Sequence, residues 1–195
     1  MNELGHVSTE GGPLLLIDRE AVGNWFGIDG DDYDRACRFL DQSEIGGEIA
    51  VGKDRGLIWG VPTGTTEIWR ITPDSIVLSR NWLDPEAARS EEEQSRRLVK
   101  LPRSHQFDLG RLSVRSGWVV ILWATENGSD IVKLDPADGL ALDLSVGNAA
   151  IIVSLPAGEY LCSGDEVRHD GTSALRCWVV PEAGPISTDP PPRPS

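Results

Sequence analysis

The chain opens on a polar, glycine-containing stretch, residues 1–12, with no apolar period, and this stretch reads as a loose arm. Pro13-Leu14-Leu15-Leu16-Ile17 follows, short and apolar throughout, which predicts a buried strand. Asp18 is placed to cap a helix running to about Trp25, its oxygen accepting from first-turn N–H groups. Residues 26–31 contain two glycines and read as loop. Asp31 or Asp32 then caps a second helix, in which Tyr33, Ala36, Cys37 and Leu40 share one face.

After Gly46-Gly47 the period shortens. Residues 48–51, 56–61, 66–71 and 75–82 are predicted strands, separated by Gly52-Lys53-Asp54, Pro62-Thr63-Gly64 and Thr72-Pro73-Asp74. Connections this short join antiparallel neighbours. Asp84-Pro85-Glu86 reads as an N-cap followed by proline at the first helical position, opening a charged helix over 86–100. Acidic residues crowd its first half and Arg96, Arg97 and Lys100 its last turn, the order the helix dipole favours. The second half is β-patterned, with strands near 111–115, 118–124, 130–134, 140–144, 149–155, 159–162 and 174–180. The phrases Gly12-Pro13-Leu14-Leu15-Leu16 and Gly117-Trp118-Val119-Val120-Ile121-Leu122 suggest corresponding edges of two lobes, a similarity too weak to count as a repeat.

The predicted fold class is therefore α+β, mostly antiparallel sheet with short N-terminal helices. Residues 11–83 form an N-terminal α+β lobe, 84–103 a connecting helix, 104–182 a β-rich C-terminal lobe, and 183–195 a proline-rich tail.

Charge narrows the range of partners. Against 18 Lys and Arg stand 31 Asp and Glu, a net −13 over 195 residues. A nucleic-acid partner would require a basic face to emerge against this excess, and an anionic membrane surface meets the same repulsion. A basic protein is attracted instead, although solubility alone also accounts for the charge. No apolar run approaches the roughly 20 residues of a spanning helix. The start of the chain lacks a basic and an apolar region, so no secretory signal is expected. Cys37, Cys162 and Cys177 cannot all pair, which fits a reducing cytoplasm, and Asn127-Gly128-Ser129 then reads as a turn.

The chain offers no convincing catalytic or metal set. His6, His105 and His169 are scattered, and Cys162 and Cys177 with His169 make a poor zinc site. Counted from Asp29, the acidic stretch has Asp34 and Leu40 where a calcium loop needs glycine and glutamate. There is no nucleophile elbow, Walker A loop or dinucleotide fingerprint, and His169-Asp170-Gly171 lies in an evident turn. No enzyme, metal or cofactor is expected. Of the seven tryptophans most lie in predicted strands, where core packing explains them. Trp25, at a helix end beside the acidic loop, fits either the core or an interface anchor.

Several phrases together carry a family resemblance. Gly11-Gly12-Pro13-Leu14-Leu15-Leu16-Ile17, then Trp25, then Asp32-Tyr33-Asp34-Arg35-Ala36-Cys37 resemble the immunity protein 21 family of bacterial polymorphic-toxin systems. Ile49-Ala50-Val51-Gly52, Gly56-Leu57-Ile58-Trp59-Gly60, Pro62, Thr65-Thr66, Arg80 and Trp82 follow in order, and Leu155-Pro156-Ala157-Gly158-Glu159-Tyr160 extends the likeness more loosely. Two features depart from the pattern: only Val61 separates Gly60 from Pro62, and Asn81 stands between Arg80 and Trp82. The resemblance implies a cytoplasmic antidote that binds and neutralises a cognate toxin domain, and the acidic charge fits a basic, nuclease-like one. The alternative is a non-catalytic β module binding a small ligand. The local density of carboxylates points to Asp29, Asp31, Asp32 and Asp34 as the toxin-binding surface, with Trp25 as the apolar anchor.

Overall fold

The computed structural model describes residues 1–43, 45–86, 88–144 and 147–182; the proline-rich tail lies outside them. The strands are β1 (Asn2–Thr9), β2 (Leu14–Asp18), β3 (Gly46–Val51), β4 (Asp54–Trp59), β5 (Gly64–Thr72), β6 (Ser75–Trp82), β7 (Gln106–Val114), β8 (Trp118–Trp123), β9 (Leu140–Asp143), β10 (Asn148–Ser154), β11 (Gly158–His169) and β12 (Thr172–Pro181). The helices are α1 (Asp32–Ser43), α2 (Glu91–Lys100) and the single turn α3 (Gly128–Ile131), with 3-10 turns at Val22–Asn24 and Gly27–Asp29. The fold is α+β and mostly antiparallel sheet.

Two six-stranded sheets carry the molecule. One has the order β1-β5-β6-β12-β11-β7, the other β3-β4-β2-β8-β10-β9. Their facing sides make the main core: Val7, Ile68, Ile76, Leu78, Leu112, Cys162, Cys177 and Val179 from the first meet Leu14, Leu16, Leu57, Trp59, Val119, Ile121, Ile151 and Val153 from the second. Strand alternation sends the other set outward. Leu15, Ile17, Ile58, Val120, Leu122 and Ile152 are covered by Trp25, Ala36 and Ile131 from the connections after β2 and β8 and from α1. On the opposite side Trp69, Val77 and Trp178 are covered by Val99 of α2. This explains why β2 and β8 read as continuous apolar runs: both their faces are buried.

Turn chemistry fixes the longest pairing. β11 and β12 pair from Tyr160↔Pro181 to His169↔Thr172, leaving Asp170-Gly171 as the two-residue turn, both with positive φ (47° and 79°). That is the conformation in which Asp-Gly is favoured.

Division of the chain at 84–103 is a division of topology, not of space. Each sheet takes three strands from before α2 and three from after it, joined at the seams β6–β12 and β2–β8. Adding six to each strand number reproduces both orders read backwards, so the halves are related by a pseudo-twofold in connectivity. Under it β2 and β8 are equivalent, the strands of the two phrases whose likeness in the sequence was too weak to count as a repeat.

Several local expectations change. Residues 2–9 are an edge strand rather than an arm, because Val7 and Thr9 turn inward while β5 pairs with the backbone. Asp18 ends β2 and caps no helix. Its carboxylate accepts from the N–H groups of Glu20, Arg115 and Ser116 at 2.9, 2.7 and 2.9 Å, tying β2 to the β7–β8 turn. The charged helix starts at Glu91, not 86. Ser90 caps it, accepting from Glu93 N–H, whereas Asp84 spends its carboxylate on Glu86 N–H in a local turn. Residues 128–131 are helical where a strand was expected, capped by Asn127 accepting from Ser129 N–H. Among the described residues no helix is long and apolar enough to cross a membrane.

Candidate protein-binding face

The connection after β2 crosses the outer face of the second sheet beside the connection after β8, running in the opposite direction. Arg19 donates to the carbonyls of Val132 and Leu134, Gly128 N–H to Trp25 O at 2.9 Å, and Ile28 N–H to Thr125 O at 3.0 Å. The contact requires bare backbone at Gly27, which has φ 54°; a Cβ there would lie 2.1 Å from Thr125 O. The strand-to-helix segment is thus held along its length by the other half of the molecule.

Within this segment side chains alternate in and out. Trp25 is fully buried and its indole donates to Ala124 O at 3.0 Å. It belongs to the core and is no surface anchor: the anchor expectation fails because the chain carries the ring beneath the loop. Asp32 is also buried. One oxygen accepts from Phe26 N–H at 2.7 Å and the other from Arg35 Nη2 at 2.7 Å, so its carboxylate closes the loop onto the start of α1 and is largely turned away from the surface. Arg35 also donates to Ala50 O at 2.8 Å and lies over the Trp25 ring at 5.9 Å from its centroid. The Asp-Tyr-Asp-Arg string thus serves local structure through Asp32 and Arg35.

The outward positions are Phe26 and Ile28, 48% and 67% exposed. Exposed Asp29, Asp31 and Asp34 follow them in sequence. Asp29 accepts from Asn127 Nδ2 at 2.9 Å, which orients it toward the second connection. There Ile28, Asp29, Thr125, Glu126, Asn127, Asp130 and Leu144 line an open pocket of about 340 Å³. Sequence reasoning placed the acidic residues correctly at the surface at Asp29, Asp31 and Asp34, and missed Phe26 and Ile28. The signal was present: two large apolar residues in a Gly- and Asp-rich loop with no partner at strand or helix spacing.

The arrangement supplies apolar contact area within a field of carboxylates, on a backbone fixed by hydrogen bonds. It contains no evident nucleophile–base pair. Among the described residues no group of three or more His, Cys, Asp or Glu side chains is disposed to hold a metal ion. No family model matches the chain, and no curated protein or solved structure matches it.

Proposed function

We propose that this protein is a cytoplasmic immunity protein of the kind its sequence resembles, acting without catalysis by binding and neutralising a basic toxin domain. The observation that carries the reading is the display of exposed Phe26 and Ile28, on a loop fixed by backbone hydrogen bonds, next in the chain to the exposed carboxylates of Asp29, Asp31 and Asp34. Exposed apolar side chains on a preorganised loop bind at low ordering cost, and aromatic residues are enriched at interface centres. The surrounding carboxylates and the net charge of −13 steer a basic partner and raise its association rate.

The test is co-expression with the toxin encoded beside this gene, followed by size exclusion of the mixture. Growth rescue and a stable complex are expected. Phe26→Ala with Ile28→Ala removes the apolar centre and should weaken binding by about 2–4 kcal/mol, seen as faster dissociation. Asp29→Lys with Asp31→Lys should slow association at low salt and flatten its salt dependence. Absence of rescue and of a complex with the wild-type protein overturns the reading. Unchanged kinetics in both folded variants moves the interface away from this loop.

A further inference from the structure

Arg80 is the unusual cation of this molecule. Ile76 and Leu78 of β6 point into the core between the sheets, and Arg80, two residues further on, points the same way. Its residue exposure is 2%. A guanidinium taken this far from water normally faces a carboxylate or several carbonyls, as Arg176 does elsewhere in this fold. Arg80 has neither. Nη2 donates to Thr9 Oγ1 at 3.2 Å, while Nε and Nη1 have no partner. Among the described residues no acidic side chain pairs with it.

Its surroundings add further donors. Thr66 is the cross-strand neighbour of Arg80 on β5, fully buried, and its Oγ1 is likewise without a partner. Thr9 spends an oxygen lone pair on Arg80 and keeps a hydroxyl proton to donate. Gly64 lies over the guanidinium, where a Cβ would come within 2.6 Å of Nη1. Beside it the segments after β1 and before β5 are tied together, Glu10 O accepting from Thr63 Oγ1 at 3.0 Å.

We propose that this end of the sandwich is a binding site for a small monovalent anion, held by Arg80 with Thr9 and Thr66. Nε and both protons of Nη1 are free and Nη2 keeps one of its two, so one fork of the guanidinium retains a pair of donors for a halide or one edge of a planar oxyanion. The anion supplies the countercharge that the protein does not. Burial lowers the Arg80 pKa to about 10 with no neighbouring charge opposing it, as expected where the protein itself offers no anion.

The experiment measures thermal unfolding of the full chain at constant ionic strength while chloride replaces gluconate, which is too large to enter. Nitrate and formate arms separate a halide site from one that prefers planar oxyanions. Wild-type melting temperature should rise with the small anion and follow a single-site curve. Anion at ten times its dissociation constant multiplies the folded-to-unfolded ratio about elevenfold. Arg80→Met should lose this dependence. If that variant does not fold, Thr9→Val with Thr66→Val keeps the guanidinium and should raise the anion dissociation constant severalfold. Chloride-35 line broadening on the wild type, relieved by nitrate, reports binding directly. Equal anion dependence in wild type and Arg80→Met overturns the site. So does a wild type that melts identically in every salt and broadens no chloride signal.

Discussion

Cys162 and Cys177 are almost completely buried in the core between the sheets, while Cys37 is only partly covered on α1. Burial pushes the Cys162 thiol up to about 12 and the Cys177 thiol upward as well. A protonated, enclosed thiol is a poor nucleophile. A colourless-to-coloured thiol reagent at pH 8 should therefore titrate one cysteine in the native protein and all three after denaturation. Titration of two or three in the native state would show that the core opens. The same shifts set a pH dependence. An unfolded thiol ionises near its ordinary value of 9, whereas folded Cys162 holds its proton until about 12. The folded state binds more protons across that window, so stability falls as pH rises from about 9. Burial raises Tyr33 and Tyr160 in the same direction. At this scale the sequence was legible where chemistry is local. It gave Asp29 and Asp31 as surface carboxylates and three free thiols. It left Trp25 open between core and surface, because the predicted helix ended there, and the segment is in fact a loop with one 3-10 turn and no period from which to read the side that a ring faces.

At the scale of elements, α2 is attached both by its apolar face and by a buried arginine of the sheet beneath it. Leu98 and Val99 pack on the first sheet, but the C-terminal carbonyls of the helix are gathered by Arg176 of β12. Arg176 donates to Leu98 O and Leu101 O at 2.9 Å and to Pro102 O at 3.2 Å, while Nε donates to Asp165 at 2.8 Å. Burial alone would push the Asp165 carboxyl up. Hydrogen bonds from Arg176, Ser104 N–H and the Trp178 indole, with the Arg176 charge, outweigh burial and hold it below the usual carboxylate range. Asp165→Asn removes the charge that Arg176 was buried against. It should cost about 3–5 kcal/mol in denaturant unfolding, and Arg176→Met added to it should cost much less than the sum of the two. Additive losses would mean the residues act separately. The stabilisation from Asp165 is present above its unfolded value near 3.8 and is lost as pH falls through its lower folded value. None of this pairing was visible in the sequence, since residues 165 and 176 meet only once β11 and β12 are in register. Two hairpins, by contrast, were legible from Gly52-Lys53-Asp54 and Thr72-Pro73-Asp74, whereas Pro62-Thr63-Gly64 carries the chain from one sheet to the other and Asp170-Gly171 was legible only as a turn. The edge strand β1 was not, because a strand with one inward pair, Val7 and Thr9, carries too short an alternation to stand out from a polar arm.

For the whole molecule, the pseudo-twofold decides what can fold alone. The seams β2–β8 and β6–β12 are central pairs of their sheets, and each joins the first half of the chain to the second. Cutting after α2 leaves β2 and β6 as bare edges and strips the core of its facing residues from β8, β10, β11 and β12. Such edges, apolar on both faces in the case of β2, seek another strand. A chain of residues 1–103 should therefore not yield a stable monomer. The connectivity offers it a specific alternative: two copies can pair β2 with β2 and β6 with β6 across a true twofold where the native protein has its approximate one. Sedimentation of the fragment should show dimers or larger species, with cooperative unfolding restored when the fragment for residues 104–182 is added. A monomeric, cooperatively folding 1–103 fragment would mean that the seams are contacts between finished lobes. That outcome is opposed by the covering of the outer sheet face, where Trp25 from the first half and Ile131 from the second share one apolar layer. The candidate binding loop lies over this layer and is fixed by Ala124, Thr125 and Gly128 from the other half. Display of Phe26 and Ile28 is thus a property of the assembled molecule, and an excised first half should lose that display along with its fold.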